Sequence, residues 1–167
     1  MSFSQLVDSN QIQQWKNEVN ETFSIQSLLD ESYTESYLNT KTLKSIGDDI
    51  YNSLSSLLGS NNPKVLDYCS KLKAYRLVTN LDEIKLGTFT RFIDKRNPKA
   101  FLAFGGNACG IRKVEPSEEH PEERFYIQII NMKSRHVFNY NFNDYITFQK
   151  LSDQEMIVLF SMESCER

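Results

Sequence analysis

The chain reads as an α+β protein: a small SH3-like or Tudor-like antiparallel β-barrel, with a helical region before it and one helix after it. Three observations predict this. Up to residue 72 the apolar residues recur every three or four positions, which is the period of an amphipathic helix. From residue 73 to 151 they fall in short aromatic and β-branched runs broken by Asn, Pro and Gly. Strands this short, with helices gathered at the two ends rather than between them, point to a small barrel and not to a doubly wound sheet. The expected organisation is therefore a helical extension over 1–72, a barrel over 73–151 and a C-terminal helix and tail over 152–167.

In chain order, the spacing of Ile12, Trp15, Val19 and Phe23 predicts a first helix between Ser4 and about Leu29, with Asp8, Ser9 and Asn10 as cap types ahead of the stripe. So narrow a stripe must dock on something, which makes Trp15, Val19 and Phe23 candidate partner-binding residues. The competing reading is a packing anchor covered by its own domain, the commoner fate of a large aromatic. Residues 30–42 fit either a longer helix or a connection. A second helix is expected from Leu43 to Leu58, ended by Gly59, and a short third one after Pro63 through Val65, Leu66, Cys69 and Leu72. These helices are short, so most of their stability must come from packing outside themselves.

At Lys73 the period switches. Ala74–Val78 is a strand candidate, and Leu86–Asp94 is a second, with Phe89, Arg91 and Ile93 on one face. Arg96-Asn97-Pro98 is turn chemistry, so Lys99–Phe104 reads as the returning strand, and Gly105-Gly106 as a place where the sheet bends or a second backbone comes close. Val114–Glu123, with two prolines and five glutamates, reads as an exposed loop. Arg124–Ile130, Arg135–Tyr140 and Tyr145–Lys150 complete five or six strands. Ser152 then caps a last helix, with Glu155 at the capping-box position and one apolar side meant for the barrel or a neighbouring subunit.

Composition narrows the function classes. The 167 residues carry a formal charge of −3 and are 40% hydrophobic, enough for a folded core. Acids outnumber bases up to Ser70, bases outnumber acids from Lys71 to Lys150, and the tail is acidic again. A weakly basic centre between acidic flanks argues against strong unspecific nucleic-acid binding. Cys69, Cys109 and Cys165 form no CxxC pair, and the start has no basic stretch leading into an apolar one. We therefore expect reduced thiols, no secretory leader and no membrane insertion. No GxSxG, Walker or GxGxxG pattern occurs, and His120 and His136 stand apart, so no catalytic, cofactor or metal residue is assigned.

With the elements laid out, YRLV at 75–78, Leu86-Gly87, Arg91-Phe92-Ile93, Gly105-Gly106 and the run Asn143–Phe148 together resemble a family of small SH3-like barrel proteins encoded by large double-stranded DNA viruses. The resemblance covers the middle half of the chain. It implies a viral origin, residence in the virion or the infected-cell cytoplasm, and a role in a particle or virus factory; it carries over no catalytic residue. The expected function is thus a non-enzymatic structural protein, a minor capsid or virion-interior component that docks on other virion proteins or on itself within an oligomeric assembly. The alternative is a nucleic-acid-binding module over 89–113, in which Arg91, Lys95, Arg96, Lys99 and Arg112 follow phosphates while Phe89, Phe92 and Phe101 stack on bases. A methyl-lysine cage from Tyr75, Phe92, Tyr126 or Tyr140 is weaker than the nucleic-acid reading, and an enzyme with unrecognised chemistry is the third hypothesis.

Overall fold

The computed structural model describes residues 40–165, which belong to one compact unit beginning at Thr40. The candidate docking residues Trp15, Val19 and Phe23 lie outside the described residues. Helix α1 spans Leu43–Leu58. Thr42 Oγ1 accepts from Ser45 N–H at 3.1 Å while Ser45 Oγ accepts from Thr42 N–H at 2.9 Å, so two otherwise orphaned donors are satisfied. Gly59, at φ 89°, takes the left-handed turn that stops it. Helix α2 spans Pro63–Lys71, with Asn62 as its cap and Pro63 where no N–H is needed.

Six strands follow: β1 Tyr75–Val78, β2 Phe89–Asp94, β3 Gly106–Val114, β4 Arg124–Ile130, β5 Val137–Asn141 and β6 Tyr145–Lys150. They form one antiparallel sheet in the order β1-β6-β2-β3-β4-β5, and a short 3-10 turn at Phe142–Asp144 leads from β5 into β6. No ladder joins β1 to β5 among the described residues, so the hydrogen-bonded sheet is open. Its far strands nonetheless curl back on the near ones. The Phe92 ring on β2 lies 4.6 Å from that of Tyr140 on β5, and the Tyr140 hydroxyl is 3.0 Å from that of Thr147 on β6.

The alternation of β2 and β6 divides the interior in two. Ile93 and Phe148 face α1 and α2, where they meet Ile50, Leu54, Val65, Tyr68 and Leu72. Phe92 faces into the curl, with Val78, Ile84, Ala108, Ile127, Ile129 and Tyr140. The two helices therefore share a core with the sheet, as their narrow stripes require. Between the cores runs a buried polar chain. Gln149 Oε1 accepts from Arg76 at 2.9 Å and from Lys85 N–H at 2.9 Å, and its Nε2 donates to Lys85 O at 3.0 Å and to Thr90 Oγ1 at 3.0 Å.

Two elements depart from the sequence reading. The strand expected at Lys99–Phe104 begins instead at Gly106, and 99–105 is irregular apart from a bridge between Ile93 and Leu102. Tyr68 is the reason: its hydroxyl donates to Ala100 O at 3.0 Å and accepts from Leu102 N–H at 3.3 Å, taking peptide groups that a ladder would use. The glycine pair does admit a close backbone, since a Cβ on Gly105 would lie 1.9 Å from Thr90 O and one on Gly106 2.3 Å from Ile130 O.

The second departure is helix α3, Asp153–Cys165. Ser152 Oγ caps it by accepting from Glu155 N–H at 3.1 Å, but its apolar residues are not confined to one side. Glu155 and Leu159 are buried, whereas Ile157, Val158, Phe160 and Met162 are exposed on the remaining flanks. Glu155 reaches Lys85 at 2.7 Å, so the helix is tied to the polar chain.

Glycines of opposite character test this fold. Gly105→Ala combines positive φ with a backbone clash and should lower stability by about 3 kcal/mol or more. Gly47→Ala, in α1 with nothing within 4 Å of the added carbon, should raise it by about 0.5–1 kcal/mol. Urea unfolding of both measures the signs; a neutral Gly105→Ala would contradict the close approach of β2 and β3.

Candidate functional site

The hairpin that the sequence marks as basic and aromatic is split by the fold into pieces with different partners. Arg91 is half-buried, and its Nε donates to Ala103 O at 3.0 Å. Arg96 pairs with Asp94 at 3.1 Å and with Asp144 at 3.3 Å, and its guanidinium lies over the Tyr145 ring at 5.6 Å. The Arg96 hydrogen bond holds the Asp94 carboxyl below its ordinary value, so this corner is close to neutral. Arg112 is exposed on β3, five residues beyond Asn107 where that strand leaves β2; at strand rise that is roughly 17 Å. Its neighbour Lys113 is held by Glu123 at 2.5 Å and Glu115 at 3.3 Å. Arg112 and the β2 turn are thus not one face.

What the fold does bring together is smaller. Lys99 is exposed, and its carbonyl accepts from the Lys64 ammonium of α2 at 2.7 Å. That ammonium also stands 5.3 Å over the Phe101 ring. Phe101 is 60% exposed and Phe104 66%, and Phe104 packs edge-on against Phe89 at 5.9 Å. The irregular run that replaces the expected strand therefore displays two open rings, Phe101 under the Lys64 ammonium and Phe104 against Phe89. Lys64 carries no signal in the sequence, because the turn and α2 meet only in the tertiary structure.

Of the rings considered for a cage, Phe92 and Tyr140 do converge, with Phe138 and Tyr145 as neighbours. Tyr75 packs with the helices instead, and Tyr126 has Arg124 at 6.0 Å. The converging rings touch one another, with centroids 4.6–5.7 Å apart around Phe92, which leaves no gap for an ammonium between them. Arg96 takes the ring face of Tyr145. Burial pushes the Tyr140 phenol well above its ordinary value, so it stays protonated and keeps its bond to Thr147.

Between α1, α2 and β1 opens a cavity of about 210 Å³, lined by Leu43, Ile46, Ile50, Cys69, Leu72 and Tyr75 among others. Burial raises the Cys69 thiol above its ordinary value, and the other polar side chains of the lining are Lys73 and Tyr75. Cys109 and Cys165 are exposed thiols. Among the described residues no group of three His, Cys, Asp or Glu could hold a metal ion, and no helix is long and apolar enough to cross a membrane.

Among the described residues, α3 carries four exposed large apolar side chains. Ile157 is 64% exposed and Phe160 56%, with Val158 and Met162 each at 40%. The sequence reading gave this helix one apolar side, against the barrel or a neighbouring subunit, whereas its apolar residues lie on several sides. Its residues alone do not disclose which side is taken, because the choice is made by the buried bond from Glu155 to Lys85. No family model matches the chain, and neither a curated protein nor a solved structure is similar to it.

Proposed function

We propose that the chain is a non-enzymatic interaction protein, built on an SH3-like barrel whose seam is closed by side chains, which presents the uncovered flank of α3 to partner proteins. The strand succession β6-β2-β3-β4-β5, the 3-10 turn before β6 and the Tyr140–Thr147 contact support the SH3-like reading. The observation that carries the function is α3. Its buried side is fixed to the domain by Glu155 and Leu159, while Ile157, Val158, Phe160 and Met162 remain in water. An apolar flank held rigidly outward costs solubility unless a partner covers it. The sequence resemblance extends the reading to a minor capsid or virion-interior component of a large DNA virus, found in the virion or infected-cell cytoplasm and joined there to other virion proteins.

A second reading rests on Phe101 and Phe104. The open Phe101 ring under Lys64, with exposed Lys99 two residues before it and open Phe104 three after, suits stacking of unpaired bases with cations along the phosphates. The paired Arg96 and the distant Arg112 contribute little to such a platform.

Mass spectrometry of purified particles of the encoding virus should find the protein. The double substitution Ile157→Glu with Phe160→Glu should remove it from particles while its thermal unfolding stays within a few degrees of wild type. Absence of the wild-type protein, or unaltered incorporation of the variant, would refute the structural role. Binding to a single-stranded oligonucleotide should, on the second reading, weaken steeply with salt and be lost in Lys99→Glu with Phe101→Ala. No binding at low salt removes that reading.

A further inference from the structure

Strand β5 ends the sheet, and its outer edge has none of the features that keep an edge from pairing. Natural edges are blunted by lysine, proline, a bulge, extreme shortness or a covering helix. The opposite edge, β1, is only four residues long and lies against α1. In β5, Val137-Phe138-Asn139-Tyr140-Asn141 holds no charge and no proline, and its register against β4 runs unbroken from Ile130↔Val137 to Tyr126↔Asn141. His136, Val137, Phe138 and Asn139 are all exposed.

The ladder fixes which backbone groups are free. Asn131 N–H donates to His136 O at 2.9 Å. Antiparallel pairs alternate, so His136, Phe138 and Tyr140 turn their peptide groups toward β4, and Val137, Asn139 and Asn141 turn theirs outward. That outward set is symmetric about Asn139.

We propose that β5 pairs antiparallel with β5 of a second copy, about a two-fold axis at Asn139. Asn139 then faces its own counterpart, Val137 faces Asn141 of the other copy, and about six backbone hydrogen bonds form. Phe138 comes opposite Tyr140 of the other copy and extends the ring cluster of Phe92, Tyr140 and Tyr145. Charge favours this occupant. A strand without charged residues meets itself without repulsion, and the same register carries the basic turn with Lys133 and Arg135 alongside the other copy's turn at Asp144, an acid that Arg96 of its own copy already shares. The inference goes beyond the α3 reading and stands on different residues.

The interface is small, below about 1,200 Å², so the dimer is weak and concentration-dependent. Sedimentation equilibrium of the full chain over about 10 to 1,000 µM should show a monomer–dimer equilibrium. Asn139→Pro tests the geometry, because its N–H points away from β4 and an edge strand accepts proline on that side. It should stay folded and dimerise at least tenfold more weakly. Val137→Lys, a blunting charge at the same edge, should do the same should the proline variant not fold. The α3 double variant should dimerise as wild type, which separates this interface from the proposed partner surface. A chain that is monomeric throughout that range, or folded edge variants that dimerise as wild type, would overturn the proposal.

Discussion

The fold turns on one buried carboxamide. Gln149, next to last in β6, has no exposed surface, and its two polar atoms make four hydrogen bonds that reach β1 through Arg76, the entry to β2 through Lys85, and β2 itself through Thr90. A buried amide left partly unpaired costs about 1–3 kcal/mol per missing bond. This constraint admits a single register for β1, β6 and β2, because sliding any one of them would strand these groups in the interior. Lys85 then passes the constraint on, since its ammonium meets Glu155 and so fixes the first turn of α3.

Everything of functional interest lies where this rigid centre hands over to surfaces it does not cover. On the helix side, Ile93 and Phe148 are sealed by α1 and α2. In the curl, Phe92 is sealed by β5 and the start of β6. Beyond those seals the apolar side chains of α3 and the free peptide groups of β5 face water on separate elements. A domain with two such features can serve as a joint, contacting a copy of itself through an edge and an unlike partner through a helix flank. The two contacts differ in kind: directional hydrogen bonds set the first, and apolar area the second.

The periodic elements were legible because local signals and tertiary demands agreed. Helix α1 runs from Leu43 to Leu58 and ends at Gly59 as the sequence indicates, and β4 and β6 carry the bounds that their aromatic and β-branched runs imply. The misplacement of β3 has a tertiary cause: the Tyr68 hydroxyl, more than thirty residues away, takes peptide groups at Ala100 and Leu102. Polar Asn107-Ala-Cys-Gly gave little sign of a strand, and its register shifts between Ala108 and Gly110. Site residues fared likewise. Arg96 reads as a free cation, yet Asp94 beside it in β2 and Asp144 from the turn before β6 both pair with it, whereas Lys64 reads as an ordinary surface lysine until Phe101 comes to rest under it.

The central claim is that the buried polar chain from Gln149 through Lys85 to Glu155, more than the packing of Leu159, holds α3 with its flank in water. Removing one member of a buried ion pair costs about 3–5 kcal/mol. Residue-resolved hydrogen exchange of Glu155→Ala measures this most directly. The account predicts that α3 amides lose at least tenfold of their protection while those of β2, β6 and α1 keep theirs; α3 amides as protected as in the wild type would contradict it.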